Sequence, residues 1–89
     1  MIKKQVTIIN KLGLHARAAS RFVSIASGFS CKVRVSFNGQ DIDGKSIMAV
    51  MMLAAGQGSS IELMLDGHDE KEACDALCTL INNYFNEGE

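Results

Sequence analysis

Proline is absent from the 89 residues, no serine- and glycine-rich run is long enough to be a linker, and no segment repeats. The chain thus lacks the usual material of linkers and arrays, and a single domain over residues 1–89 is expected. Aromatic residues are scarce, with four phenylalanines and one tyrosine. No apolar run approaches the ~18 residues that a membrane span needs. The basic start "MIKK" leads into a stretch broken by Thr7 and Asn10, so no signal peptide and no membrane insertion are expected, and a cytoplasmic location is. The three cysteines, Cys31, Cys74 and Cys78, are an odd, unframed set, which reads as reduced, mostly buried thiols rather than a disulfide scaffold. Neither charge dominates: nine Lys and Arg stand against ten Asp and Glu, for a net charge of −1. That balance argues against a general nucleic-acid binder, although Lys3, Lys4, Lys11, Arg17 and Arg21 gather five of the nine cations near the start.

Apolar residues make up 47% of the chain, enough for one modest core. A domain of this length buries only about 60–65% of its unfolded surface, so function belongs on a surface rather than in a deep cavity. The β-branched "IKKQVTIIN" predicts a strand over Ile2–Ile9. Ala19, Phe22, Val23 and Ala26 recur at helical spacing, with Gly28 as the stop. "SCKVRVSF" alternates, placing Cys31, Val33, Val35 and Phe37 on one side. Asn38-Gly39 then signals a hairpin into a short strand near Gln40–Asp43. Ser46 is a good N-cap for a second helix whose inward stripe would be Ile47, Val50, Met51 and Ala54. Ile61, Leu63 and Leu65 alternate in a further strand. Asp69 and Glu72 resemble a capping box opening a last helix, with the stripe Ala73, Ala76, Leu77, Leu80, Ile81 and Tyr84. The order βαββαβα implies an α+β sandwich: an antiparallel sheet covered on one face and polar on the other.

The stretch "NKLGLHARAAS" sets His15 and Arg17 at a loop-to-helix junction. A salt-bridged surface pair, a metal ligand beside an accidental cation, and a phosphate site are all compatible with the pair taken alone. Three features favour phosphate. A helix start concentrates unpaired N–H groups and the positive dipole end. Arg17 offers a fork of donors matched to phosphate oxygens. Gly13 permits the turn and Ala16 leaves the helix end open. Histidine, titrating near ~6.5, supplies a neutral nucleophilic nitrogen if the phosphate is covalent. His68, ringed by acids in "DGHDE", reads as a solvated loop residue. Cys74 and Cys78 lie four apart, but no further ligand stands at useful spacing, so neither metal nor cofactor is expected. Ser46 as a cap is worth about 1 kcal/mol, and a phosphoryl group there would place nearly two negative charges at the surface. "SIMAVMMLAAG" is apolar all round for two turns, which suits either a buried helix or an adaptable, methionine-rich docking patch.

Taken together, "GLHARAA" and "GKSIMAVMMLA", their separation and the element order closely resemble the HPr family of phosphocarriers of the bacterial phosphotransferase system, over essentially the whole chain. The resemblance implies an HPr-like open-faced β-sandwich, a four-stranded sheet with three helices on one side. It implies that His15 takes a phosphoryl group on Nδ1 from phosphorylated enzyme I, itself charged by phosphoenolpyruvate, and passes it to enzyme IIA domains. Arg17 and the backbone of Ala16 and Arg17 would steady the phosphate. Such a protein is a carrier, not an independent enzyme, and is expected as a monomer. In many members the serine matching Ser46 is the target of an HPr kinase/phosphorylase, and the resemblance favours Ile47, Met48 and Met51 as partner contacts. One departure is Ala18, where the family often has proline; the helix should survive it. Sugar-pathway members and their nitrogen-pathway counterpart, NPr, both fit this pattern.

Two other classes remain for comparison. A regulatory binding module of the same fold, acting through Ser46 and the helix over residues 46–54 without transferring phosphate, would have no need of a nucleophile at His15. A ferredoxin-like RNA-binding domain would need aromatics on an exposed basic sheet, and the strands offer only Phe37.

Overall fold

In the computed structural model, which describes residues 1–87, the elements follow the expected order. They are β1 (Ile2–Thr7), α1 (Ala16–Ala26), β2 (Lys32–Phe37), β3 (Gln40–Asp43), α2 (Ile47–Met52), β4 (Ser60–Asp66) and α3 (Glu70–Asn82). The four strands form one antiparallel sheet in the order β1-β4-β2-β3. Alternation decides its faces, because successive side chains of a strand point to opposite sides. Val6 of β1 pairs with Ile61, and Leu63 and Leu65 of β4 pair with Val35 and Val33 of β2. All six are buried, beneath Phe22, Val23, Val50, Leu77, Leu80 and Ile81 from the three helices. Fully burying each such side chain stabilises the fold by roughly 1.5–3 kcal/mol. The other face is polar: Lys32, Arg34 and Gln5 are exposed, and Arg34 pairs with Asp41 at 2.7 Å. Phe37 packs against the core rather than standing on the open face, so that face offers no aromatic platform for RNA.

Several sequence expectations shift. β1 ends at Thr7 instead of Ile9, although the Ile8 N–H still bonds the Ser59 carbonyl at 2.8 Å. The Asn38-Gly39 turn forms, with φ of 55° and 85° at its two residues, as a tight antiparallel hairpin requires. α1 ends at Ala26 with Ser27 as its cap, one residue before Gly28. Asp69 and Glu72 do not form a capping box. The Asp69 carboxylate leaves its own helix and accepts the Ser30 and Cys31 N–H groups at 2.8 and 2.9 Å. The inward stripe of α2 is also different. Val50 is buried and Leu53, just beyond the helix, joins it, whereas Ile47 is 43% and Met51 38% exposed and Ala54 faces outward. Within α3 the stripe holds with Cys74 added and Ala76 only half-buried, but Tyr84 lies past the helix end and is exposed. Phe85 fills the core position in its place.

Candidate functional site

The loop after β1 sets His15 by three backbone features. Gly13 has φ +68°, the left-handed region that glycine enters freely. A Cβ there would stand 2.6 Å from the Ala55 carbonyl oxygen and 2.7 Å from Gly56 Cα, so the loop passes hard against the segment that follows α2. The Leu14 N–H bonds the Ala55 carbonyl at 2.9 Å, and the buried Leu14 side chain fixes the approach to α1. His15 is then the N-cap. Its extended backbone (φ −76°, ψ 179°) lets its carbonyl accept the Ala19 N–H at 2.9 Å and start the helix. Ala18, Ala19, Phe22, Val23 and Ala26 pack α1 into the core, and alanine at position 18 continues the helix with its own side chain fully buried.

The imidazole caps the helix that it begins. The Arg17 N–H points at His15 Nδ1 at 3.3 Å, and Nε2 lies 2.5 Å from the Glu87 carboxylate. The hydrogen-bond network assigns the tautomer. Nδ1 accepts an N–H and so carries the lone pair; Nε2 faces a carboxylate and so carries the proton. The lone pair therefore points to the positive end of α1, beside the exposed Arg17, with the ring 28% open to solvent. Ala16 is exposed and leaves this approach clear.

Glu87 comes from the far end of the chain, and its route is built in detail. Phe85 is fully buried, and its carbonyl accepts a bond from the Arg21 guanidinium on α1. Tyr84, Phe85 and Asn86 all take left-handed backbone angles (φ 58°, 52° and 64°), a costly run for non-glycine residues, and it turns the chain back toward His15. The second carboxylate oxygen of Glu87 meets Asn10 Nδ2 at 3.0 Å, and the same NH2 group bonds the Gly13 carbonyl at 2.9 Å. His15, Arg17 and the start of α1 stand together as their spacing predicts; Asn10, Arg21 and Glu87 join them unannounced. The sequence offers one sign of this, acids in the tail "FNEGE" after Tyr84, and the fold brings Glu87 of that tail to His15 and Asn10. Gly88 and Glu89, the rest of that tail, lie outside the described residues.

Ser46 caps α2 as expected, accepting the Ala49 N–H on Oγ at 3.3 Å. Ile47, Met48, Met51 and Met52 are all exposed, and Leu12, in the loop just before Gly13, is 69% exposed. Because Gly13 and Leu14 abut Ala55 and Gly56, the His15 loop and the end of α2 are neighbours on one surface. The remaining chemistry-bearing groups lie elsewhere. An open hollow of about 360 Å³ is lined by Ser30, Cys31, Lys32, Val33, Arg34, Asp43 and Lys45 and shares no residue with the His15 site. Burial, and then the Asp69 carboxylate, push the Cys31 thiol up. Burial, and then Cys74, push Cys78 to about 11, so neither is a ready nucleophile at neutral pH. His68 is exposed. Among the described residues no three His, Cys, Asp or Glu side chains are grouped to hold a metal, and no helix is long and apolar enough to cross a membrane.

Comparison with known proteins finds relatives over nearly the whole chain. A family model described as the PTS HPr component phosphorylation site matches residues 2–83. The phosphocarrier protein HPr of Pseudomonas aeruginosa is 59% identical over 86 residues, 96% of this chain and 96% of that protein. The solved structure of HPr-C-His from Thermoanaerobacter tengcongensis superposes with a TM-score of 0.94 at 42% identity, covering 98% of each chain. The catabolite-repression protein Crh of Bacillus subtilis, solved as a domain-swapped dimer, is similar at a TM-score of 0.75 and 34% identity, over 94% of this chain and 97% of that one. The chain belongs to the HPr family of phosphocarrier proteins of the phosphotransferase system.

Proposed function

We infer that His15 Nδ1 accepts a phosphoryl group from phosphorylated enzyme I and passes it to enzyme IIA domains, the chain acting as a cytoplasmic carrier with no substrate pocket of its own. The observation that carries this reading is the orientation of the imidazole: the Nδ1 lone pair lies 3.3 Å from the Arg17 N–H, at the open end of α1. A phosphoryl group bonded there would take the place of the ring nitrogen as acceptor for the Arg17 N–H, and would meet the first N–H groups of α1, the helix dipole and the Arg17 guanidinium. Such contacts are electrostatic, so they hold the group without trapping it. Positioning and charge stabilisation carry most of phosphoryl transfer, and a small surface site is equal to that task.

The exposed Ile47, Met48 and Met51 of α2, the helix whose following segment abuts the His15 loop, suit a carrier that docks briefly on partners of different shape. Phosphorylation of Ser46 by an HPr kinase/phosphorylase would add negative charge at the edge of that patch and disfavour docking of acidic partners. The working form in this reading is a monomer, each chain carrying its own His15, Arg17 and α1 start. The likeness to Crh favours one other reading, a regulatory module working through Ser46 and α2 without transfer.

The test is transfer of label from phosphoenolpyruvate through enzyme I, with His15→Ala alongside. Acid-labile label on the natural chain and none on the variant supports the carrier. An unlabelled natural chain, under conditions that charge another HPr, overturns it in favour of the regulatory module.

A further inference from the structure

Asn10 is fully buried, yet its side-chain oxygen has no hydrogen-bond partner among the described residues. Rotating the amide would not relieve this. It would turn the oxygen onto the Gly13 carbonyl and the Glu87 carboxylate, both acceptors, and lose both existing bonds. The fold thus bears an unpaired buried oxygen in order to keep an NH2 group where it is, and such an exception among buried polar groups calls for a cause. The three left-handed residues Tyr84, Phe85 and Asn86 form a second costly feature, and they deliver Glu87 to the same NH2. Both converge on the His15 ring.

Building on the carrier reading, we propose that Asn10 is a positioning residue for phosphoryl acceptance, acting through Glu87. The Asn10 NH2 fixes one carboxylate oxygen of Glu87 at 3.0 Å while the other meets His15 Nε2 at 2.5 Å. That carboxylate holds the proton on Nε2 and so keeps the lone pair on Nδ1. In the transfer, the Nδ1 lone pair forms the new bond to phosphorus. The bond from phosphorus to the donor breaks, and its electron pair leaves with the donor. The Nε2 proton stays on His15, and the positive charge that grows on the ring is met by Glu87, much as a buried carboxylate steadies the histidine of a hydrolase triad. The Asn10 NH2 also ties this carboxylate to the Gly13 carbonyl, so the loop that aims His15 and the tail that polarises it move as one body.

The experiment uses the full-length chain as Asn10→Ala, Glu87→Gln and the double variant, each checked for folding by circular dichroism. Two quantities are read: the rate of phosphoryl acceptance from phosphorylated enzyme I, and the tautomer of neutral His15 from its ring ¹⁵N shifts. Each single variant should slow acceptance on the order of tenfold and raise the share of Nδ1-protonated ring. The double variant should be no slower than the slower single, because both act through one contact. Unchanged rates in both single variants overturn the proposal. Additive slowing with an unaltered tautomer also overturns it, leaving Asn10 a support of the loop alone. If Asn10→Ala fails to fold, the smaller polar change Asn10→Ser takes its place, with the same slowing and tautomer shift expected and an unchanged rate overturning the role of Asn10. The tautomer measurement needs no enzyme I. A natural chain that takes no phosphoryl group therefore counts against the carrier reading, while the ring shifts judge the positioning separately.

Discussion

The Asp69 carboxylate shows how far one side chain's role departs from its place in the chain. It begins α3, but its two oxygens accept backbone N–H groups of Ser30 and Cys31 and so fasten the entry to β2. The Ser30 N–H, with help from Cys31, holds its pKa below the usual carboxylate range. A carboxylate stabilised in this way contributes to folding above its unfolded pKa, near ~3.9, and loses that contribution as pH falls through the lower folded value. Asp69→Asn should therefore lower the urea midpoint at neutral pH, because an amide keeps only one acceptor oxygen for two donors. The gap between the two proteins should narrow as pH drops below about 4. Urea melts at neutral pH and at acid pH check this, and a gap that stays constant with pH would count against the carboxylate as the cause.

α2 spans only six residues, so its ends matter more than its interior. Ser46 satisfies the Ala49 N–H, and Val50 is its one buried residue. Ser46→Ala should cost about 1 kcal/mol, read as a lowered urea midpoint with unchanged slope. Phosphoryl acceptance at His15 should stay at the level of the natural chain, since the serine makes no contact with the ring. The same element shows where sequence periodicity loses its grip. A helical stripe is located by contrast with a polar face, and "IMAVMM" has none, so the spacing alone does not say which apolar residues turn inward. The strands carried that contrast, and Val33, Val35, Ile61, Leu63 and Leu65 are buried as alternation requires. At the end of α3 the pattern misplaced Tyr84, because a left-handed turn of non-glycine residues leaves no compositional mark.

Across the whole molecule, the site divides by sequence distance. His15, Arg17 and the helix start are local, and their chemistry is readable from eleven consecutive letters. The partner of His15 lies 72 residues away, and only the packing of the complete fold brings it home. Phe85 is the joint on which that closure depends, being fully buried in the core and tied through its carbonyl to Arg21 on α1. Removing its ring should leave a cavity costing about 3–5 kcal/mol, a large share of the ~5–15 kcal/mol that holds a domain of this kind folded. Phe85→Ala should therefore melt well below the natural chain, by roughly 4–8 °C for each kcal/mol lost. Below its own melting point, with Glu87 set loose, it should accept phosphoryl groups no faster than Glu87→Gln. Calorimetry measures the first effect and label transfer at low temperature the second. A variant that melts early yet keeps the natural rate would show that the tail returns to His15 without its anchor, and that the carboxylate, not the hydrophobic closure, holds the end of the chain in place.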